Sequence, residues 1–216
     1  MKLKGIAALA MVTSLMVTTP AGHAQLIDQG GTTFDPLTNL LWLDTSSTSG
    51  ISAQSILTGT DPGNLMAAGW SFASISQIDT LLTNAGMIGP FNGSNSPLNF
   101  AAASSFLTLF GATGSFGTNS FIQAFSSDSP SPGLLYTPVV LADSGIGIGG
   151  ADLMGAGGVP ATVTNPTIGS WLVMSSTAPP PVAAVPEPEI YAMMGVGLGV
   201  LGWLKRRQKR RDTAAS

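Results

Sequence analysis

The chain has 216 residues, of which 44% are hydrophobic and 9% are charged, with 27 glycines, 15 prolines and no cysteine. This composition excludes a charged disordered protein, and the length allows one domain with a real core plus targeting segments. The formal net charge of -3 conceals an uneven distribution, because no lysine or arginine lies between residues 5 and 204. An acidic surface repels phosphates, so the folded part is not expected to bind nucleic acid.

The N-terminus has the three parts of an export signal. A basic start with two lysines precedes an apolar stretch over residues 6–17, and small residues lead up to Gln25. We therefore predict a signal peptide over residues 1–24, with signal-peptidase cleavage between Ala24 and Gln25. An uncleaved anchor is the alternative, but the apolar run is shorter than the roughly 18 residues of a membrane-spanning helix.

Removal of this segment limits the chemistry that is available. The single histidine of the chain, His23, leaves with it. The mature chain then has no imidazole or thiol for nucleophilic catalysis, for zinc, haem or iron–sulfur ligation, or for a disulfide. We predict that the protein is not an enzyme and that it needs no cofactor.

Residues 25–175 form the predicted folded domain, and its first part predicts a β-hairpin. Residues 26–43 contain two apolar stretches joined by the turn sequence DPLTN, and the second stretch carries Trp42. Proline and asparagine supply the conformations that turns need. A short helix is predicted over residues 52–57.

Two longer helices follow. Ser74 and Gln77 have the spacing of a capping box, and apolar residues recur on one face until Gly86. Ser96 is the predicted N-cap of the next helix, which has proline at its first position and ends at Gly111. Both ends of each helix are therefore marked in the sequence.

The last part of the domain predicts strands and loops. Short apolar stretches occur at residues 121–125, 134–142 and 169–176, separated by glycine, serine and proline. Residues 143–160 are rich in glycine and are expected to form a long surface loop without regular structure. Strands that flank central helices predict a small α+β domain.

The C-terminus contains a proline-rich linker, an apolar run and a basic tail in close succession. We assign residues 176–189 to the linker, residues 190–204 to the apolar run and residues 205–216 to the tail. The apolar run is short for a hydrocarbon core of about 30 Å, but Tyr191 and Trp203 stand at its ends, as interfacial aromatic residues do. It predicts one transmembrane helix.

Six cations follow the apolar run within seven residues and orient it. The positive-inside rule places them in the cytoplasm and the preceding domain outside, in agreement with the export signal. The residues that are predicted to stop transfer are Lys205, Arg206, Arg207, Lys209, Arg210 and Arg211. We therefore predict a precursor that is anchored in the inner membrane and has a periplasmic domain.

These C-terminal features resemble the PEP-CTERM sorting domain. Its motif is present as VPEP, in which Pro186, Glu187 and Pro188 are the predicted recognition residues, followed by the apolar span and the basic tail. The resemblance implies recognition by exosortase, a membrane-embedded enzyme similar to cysteine transpeptidases, which would cut near the motif and release or re-attach the domain. It also implies delivery by the secretion machinery to the cell surface or the medium, in bacteria that make exopolysaccharide and biofilm matrix.

The domain itself is similar to the ectodomain of many proteins that carry this signal. The sequences NLLWLD, GWSFASISQI and GSWLVMSS carry the similarity. It extends to C-type-lectin-like folds, in which the first and last strands pair. The family implies no activity that could be transferred to this chain.

Three functions are compatible with the residues of the domain. The first is that of a non-enzymatic envelope or matrix protein, and this is our prediction. The second is a surface module that binds carbohydrate through Trp42, Trp70 and Trp171, or calcium through acidic loops, with residues 143–152 as the first candidate. The third is a hydrolase with paired carboxylates. Against these alternatives, tryptophans are more often core residues, and most of the aspartates stand where aspartate caps turns.

Overall fold

The computed structural model of the protein describes residues 26–155 and 157–176. The chain divides into two units, Met1–Ser176 and Thr177–Ser216, and all of the described residues belong to the first. Apart from Ser176, the predicted signal peptide, linker, transmembrane segment and basic tail lie outside the described residues. Within the described ranges, none of the helices combines the length and the apolar character that a bilayer crossing requires.

The described ranges form a mixed α+β domain, as the sequence predicted. The helices are α1 (Ala53–Leu57), α2 (Ile75–Asn84) and α3 (Phe100–Phe110), with 3-10 turns at Thr45–Thr48 and Pro97–Asn99. The strands are β1 (Ile27–Asp28), β2 (Thr32–Asp35), β3 (Leu40–Leu43), β4 (Ser71–Phe72), β5 (Asn92–Ser96), β6 (Gly114–Phe116), β7 (Asn119–Phe125), β8 (Leu134–Tyr136), β9 (Val139–Asp143), β10 (Ile148–Asp152), β11 (Gly158–Pro160), β12 (Gly169–Ser170) and β13 (Leu172–Ser175).

The predicted capping box of α2 is confirmed. The Ser74 hydroxyl accepts a hydrogen bond from the Gln77 amide at 3.2 Å, and the Gln77 side chain accepts one from the Ser74 amide at 2.9 Å. The two bonds satisfy amides that the first helical turn leaves without partners. Ser52 caps the predicted short helix α1 in a similar way, through the amide of Ser55 at 3.1 Å.

The predicted N-terminal hairpin is also confirmed, and it forms part of a five-stranded sheet. β2 and β3 pair antiparallel, and the sheet order is β1-β2-β3-β13-β4. The last strand, β13, pairs with β3, where Val173 lies opposite Trp42. The sheet therefore joins the two ends of the domain.

A second sheet supports the longest helix. Its order is β12-β7-β9-β10-β5, with β6 also paired to β7, and α3 packs across β9 and β10. The stripe of α3 that faces the core contains Ala103, Phe106, Leu107 and Phe110. The rings of Phe106 and Phe110 stack with centroids 4.4 Å apart, so the helix is fixed by aromatic packing as well as by apolar burial.

The expectation of a surface loop over residues 143–160 is wrong. β10 lies inside the six-stranded sheet between β9 and β5, and β11 pairs with β8. Glycine is needed in β10 because the start of α3 comes close: a Cβ on Gly149 would stand 2.8 Å from the Ala103 Cβ and 2.9 Å from the Asn99 carbonyl oxygen. A glycine inside a strand can mark such a close approach, and here it does not mark a loop.

Substitution of Gly149 tests this explanation. We expect Gly149→Ala to lower the free energy of unfolding by about 1–3 kcal/mol, because the added methyl group would meet backbone atoms that cannot rotate away. Urea unfolding followed by tryptophan fluorescence measures the change. Gly63→Ala is the control, since a Cβ there would meet Leu65 and Asp61 at ordinary distances of 3.4–3.6 Å. An equal loss of stability in both variants would contradict the explanation.

Candidate functional site

The residues that are predicted to direct export and sorting lie outside the described residues. They are Ala24 and Gln25 at the cleavage point, Pro186, Glu187 and Pro188 in the motif, and the six cations of residues 205–211. Their roles stay predictions from the sequence. The structure bears on the other question, which is whether the domain has a site of its own.

Most aspartates of the domain accept hydrogen bonds from backbone amides in the turns that follow them. The pairs are Asp28 with Gly30, Asp35 with Leu37, Asp61 with Gly63 and Leu65, Asp143 with Gly145, and Asp152 with Met154 and Gly155. Such bonds mimic a backbone turn and satisfy the carboxylate at the same time. The predicted turn-capping role is therefore confirmed for these five residues.

Asp35 has an additional structural role. Its side chain is fully buried, and its Oδ2 atom accepts hydrogen bonds from the Thr38 hydroxyl and the Asn84 side-chain amide, each at 2.8 Å. Asn84 is the last residue of α2, so the carboxylate ties the turn of the first hairpin to the end of that helix. A buried carboxylate needs such donors, because burial removes it from water.

The predicted calcium candidate over residues 143–152 does not bring its two carboxylates together. Asp143 lies opposite Ile148, and Asp152 lies opposite Val139, so they stand at opposite ends of the β9–β10 hairpin, about 13 Å apart. The Thr118 hydroxyl, 2.7 Å from the Asp143 carboxylate, is the main cause of the lowered pKa of Asp143. Among the described residues, no three histidine, cysteine, aspartate or glutamate side chains are grouped so that they could hold a metal ion.

Trp42, Trp70 and Trp171, the tryptophans of the described residues, do not together form an exposed platform for sugars. Trp42 and Trp171 are 1% and 0% exposed, so the expected core role is confirmed for both. The Trp171 ring packs against Phe106 and Phe110 with centroid distances of 6.0 and 5.9 Å. Trp70 is half-buried.

Two shallow clefts lie on the six-stranded sheet. The larger, of about 310 Å³, is lined by residues of β5, β9 and β10 and contains one carboxylate, that of Asp152. The smaller, of about 210 Å³, is lined by hydroxyl and apolar side chains of α3 and β9 and their neighbours. Glycoside hydrolysis uses two carboxyl groups that face each other across the substrate, and neither lining supplies a pair.

Asp44 differs from the other aspartates, and sequence reasoning missed it. It stands at the N-cap position of the turn Thr45–Thr48, yet its side chain does not cap that turn. Burial, and after it the charge of Asp28, raises the pKa of Asp44 above its usual value, while the Thr33 hydroxyl acts in the opposite direction. Asp28, Thr33 and Asp44 become neighbours through the register of the strands. No local pattern in the sequence reveals that register.

Comparison with protein families gives one result, at the end of the chain. Residues 184–211 match the PEP-CTERM protein-sorting motif. The chain therefore carries this sorting motif, and the resemblance that the VPEP sequence suggested is confirmed. Comparisons with curated proteins and with solved structures find no match.

The contact between the hairpin and α2 yields a test. We expect Asn84→Ala to lower the free energy of unfolding by about 1–3 kcal/mol, because the buried Asp35 carboxylate loses one of its donors. Chemical denaturation at neutral pH measures the effect. Thr80→Ala on the exposed side of α2 is the control, and the same loss there would show that the Asp35 contact is not the cause.

Proposed function

We propose that the chain is an exported, non-enzymatic protein of the bacterial envelope or extracellular matrix that exosortase recognises and processes. The observation that carries the proposal is the match of residues 184–211 to the PEP-CTERM protein-sorting motif. The signal peptide directs the chain to the secretion machinery. Residues 190–204 hold the precursor in the inner membrane with its domain in the periplasm, and cleavage near the motif delivers the domain to the cell surface or the medium.

The distribution of charge supports this arrangement. No lysine or arginine lies between residues 5 and 204, whereas six follow within residues 205–211. Lysine and arginine beside a membrane span stay in the cytoplasm, and the flanking segment without them is translocated across the membrane. The two ends of the apolar run thus have opposite preferences for the two sides of the bilayer.

The motif has the properties of a segment that another protein reads. Pro186 and Pro188 flank Glu187. Proline fixes φ and lacks an amide hydrogen, so the segment is disfavoured in helices and in central strands and favours an extended form. The three residues are therefore proposed as substrate residues, with the Glu187 carboxylate as their charged recognition group.

The chemistry of the domain supports a role without catalysis. No histidine or cysteine follows residue 23. The larger cleft offers one carboxylate, and Trp42 and Trp171 are buried in the core. Neither the sugar platform nor the calcium site over residues 143–152 is favoured by these positions, so we propose neither. We propose exopolysaccharide as the partner of the delivered domain, because the bacteria that use this sorting system produce an exopolysaccharide matrix.

For the fold of the domain, we propose the type that is common among proteins with this signal, which is similar to C-type-lectin-like folds. The pairing of β13 with β3 supports the proposal, because it brings together the last strand and the hairpin at the start of the domain. In the five-stranded sheet β13 lies between β3 and β4. A domain of the same fold should have this strand order.

Processing is tested by the intact mass of the protein from cells with and without exosortase. We expect the product from exosortase-containing cells to lack residues 205–211. Glu187→Ala should leave the tail in place, because the enzyme loses the charged group between the two prolines. Glu189→Ala, outside the Pro-Glu-Pro triplet, is the matched control and should be processed. Wild-type protein in the medium with its basic tail still attached would refute the proposal.

A further inference from the structure

Three oxygen-bearing side chains meet on one face of the five-stranded sheet. Asp28 of β1 lies directly opposite Thr33 of β2, and Thr33 lies opposite Trp42 of β3. Asp44 follows Trp42 by two residues, so the extended chain places it on the same face. Directly opposed side chains have Cβ atoms about 5 Å apart and diagonal ones about 7–8 Å apart. Thr33 therefore stands between the Asp28 and Asp44 carboxylates.

The protein supplies no positive charge to this cluster within the described ranges. Residues 26–176 contain no lysine, arginine or histidine. Burial raises the pKa of Asp44, and the Asp28 carboxylate, the one charged group in the described part of the chain that acts on it, raises it further. Two carboxylates near each other without a positive partner form a site of net negative potential.

Two oxygen atoms of the cluster are buried without hydrogen-bond partners among the described residues. Thr33 is 0% exposed, and its Oγ1 makes no hydrogen bond there. The Oδ1 atom of Asp44 is buried in the same way. Aspartate at an N-cap normally accepts a hydrogen bond from the following turn, but the Asp44 side chain does not. Its carboxylate is instead close enough to Thr33 for the hydroxyl to affect its pKa.

We propose that Asp28, Thr33 and Asp44 form a binding site for a hard divalent cation, of which calcium is the best fit. All of the available ligand atoms are oxygens, which calcium accepts in numbers of six to eight and in variable geometry. The absence of nitrogen and sulfur ligands disfavours zinc and copper. The Asp44 amide donates a hydrogen bond to the Gly31 carbonyl at 3.1 Å, so the backbone holds Asp44 against the start of β2.

A bound cation would satisfy each unusual feature of the cluster. It would neutralise the repulsion between the two carboxylates, and it would accept a lone pair from the buried Thr33 hydroxyl and from Asp44 Oδ1. Asp28 is exposed, so water can complete the coordination. Two carboxylates in a partly open site correspond to the weak affinities of extracellular modules, with Kd of about 10⁻⁴–10⁻³ M. This site is separate from the β9–β10 hairpin.

Thermal unfolding and calorimetric titration of the purified full chain test the site, with calcium chloride or EDTA as the only variable. We expect Tm to rise by about 3–6 °C at a calcium concentration tenfold above Kd. Thr33→Val and Asp44→Asn should each weaken calcium binding at least about tenfold, because each removes an oxygen ligand or a charge. Asp152→Asn, which removes one charge elsewhere, should keep the full response.

The two site variants also separate loss of a ligand from loss of the fold. Thr33→Val keeps the side-chain shape and removes a hydroxyl that lacks a partner, so its Tm in EDTA should equal or exceed that of the wild type. Asp44→Asn relieves repulsion and should behave likewise. The proposal is overturned if about 10 mM calcium leaves the wild-type Tm unchanged, or if the shift persists in Asp44→Asn.

Discussion

The lack of positive charge in residues 26–176 constrains every carboxylate of the domain. No ion pair can form among these residues, so a carboxylate that loses water must find N–H or O–H donors instead. Five aspartates find them in the turns that follow, and Asp35 also uses Asn84. Asp128 accepts a hydrogen bond from the Ile75 amide at 2.6 Å, at the start of α2, where the helix dipole favours negative charge. The acidic residues therefore stabilise turns of the domain, and Asp128 supports the start of α2 together with the Ser74–Gln77 capping box.

The same constraint makes Asp44 sensitive to the surroundings of the protein. Its neighbours are Asp28, which repels its charge, and Thr33, whose hydroxyl makes no hydrogen bond within the described ranges. No lysine, arginine or histidine of residues 26–176 can compensate the charge of Asp44, so the proposed site would take its positive charge from a cation in the medium.

Local signals made part of this fold predictable, and long-range pairing accounts for the rest. The cap residues Ser74 and Gln77 lie three positions apart, and the sorting motif is a continuous stretch, so both could be recognised from the sequence. The glycines of β10 were ambiguous, because loops and closely packed strands both use them. The proximity of Asp28 to Asp44 depends on strand register, and the place of β13 beside β3 depends on residues more than a hundred positions apart. Neither leaves a local pattern.

The last strand of the domain has neighbours on both sides, which affects how the domain withstands mechanical load. β13 lies between β3 and β4 and is antiparallel to both, and the residue before it, Trp171, accepts a hydrogen bond from the Ala73 amide at 2.8 Å. The predicted linker begins where this strand ends. Hydrogen bonds in an antiparallel ladder run perpendicular to the strands, so a force directed along the axis of β13 loads its bonds to β3 and β4 together, in shear. A force in that direction would therefore meet resistance from the whole ladder, whereas peeling breaks the bonds one at a time.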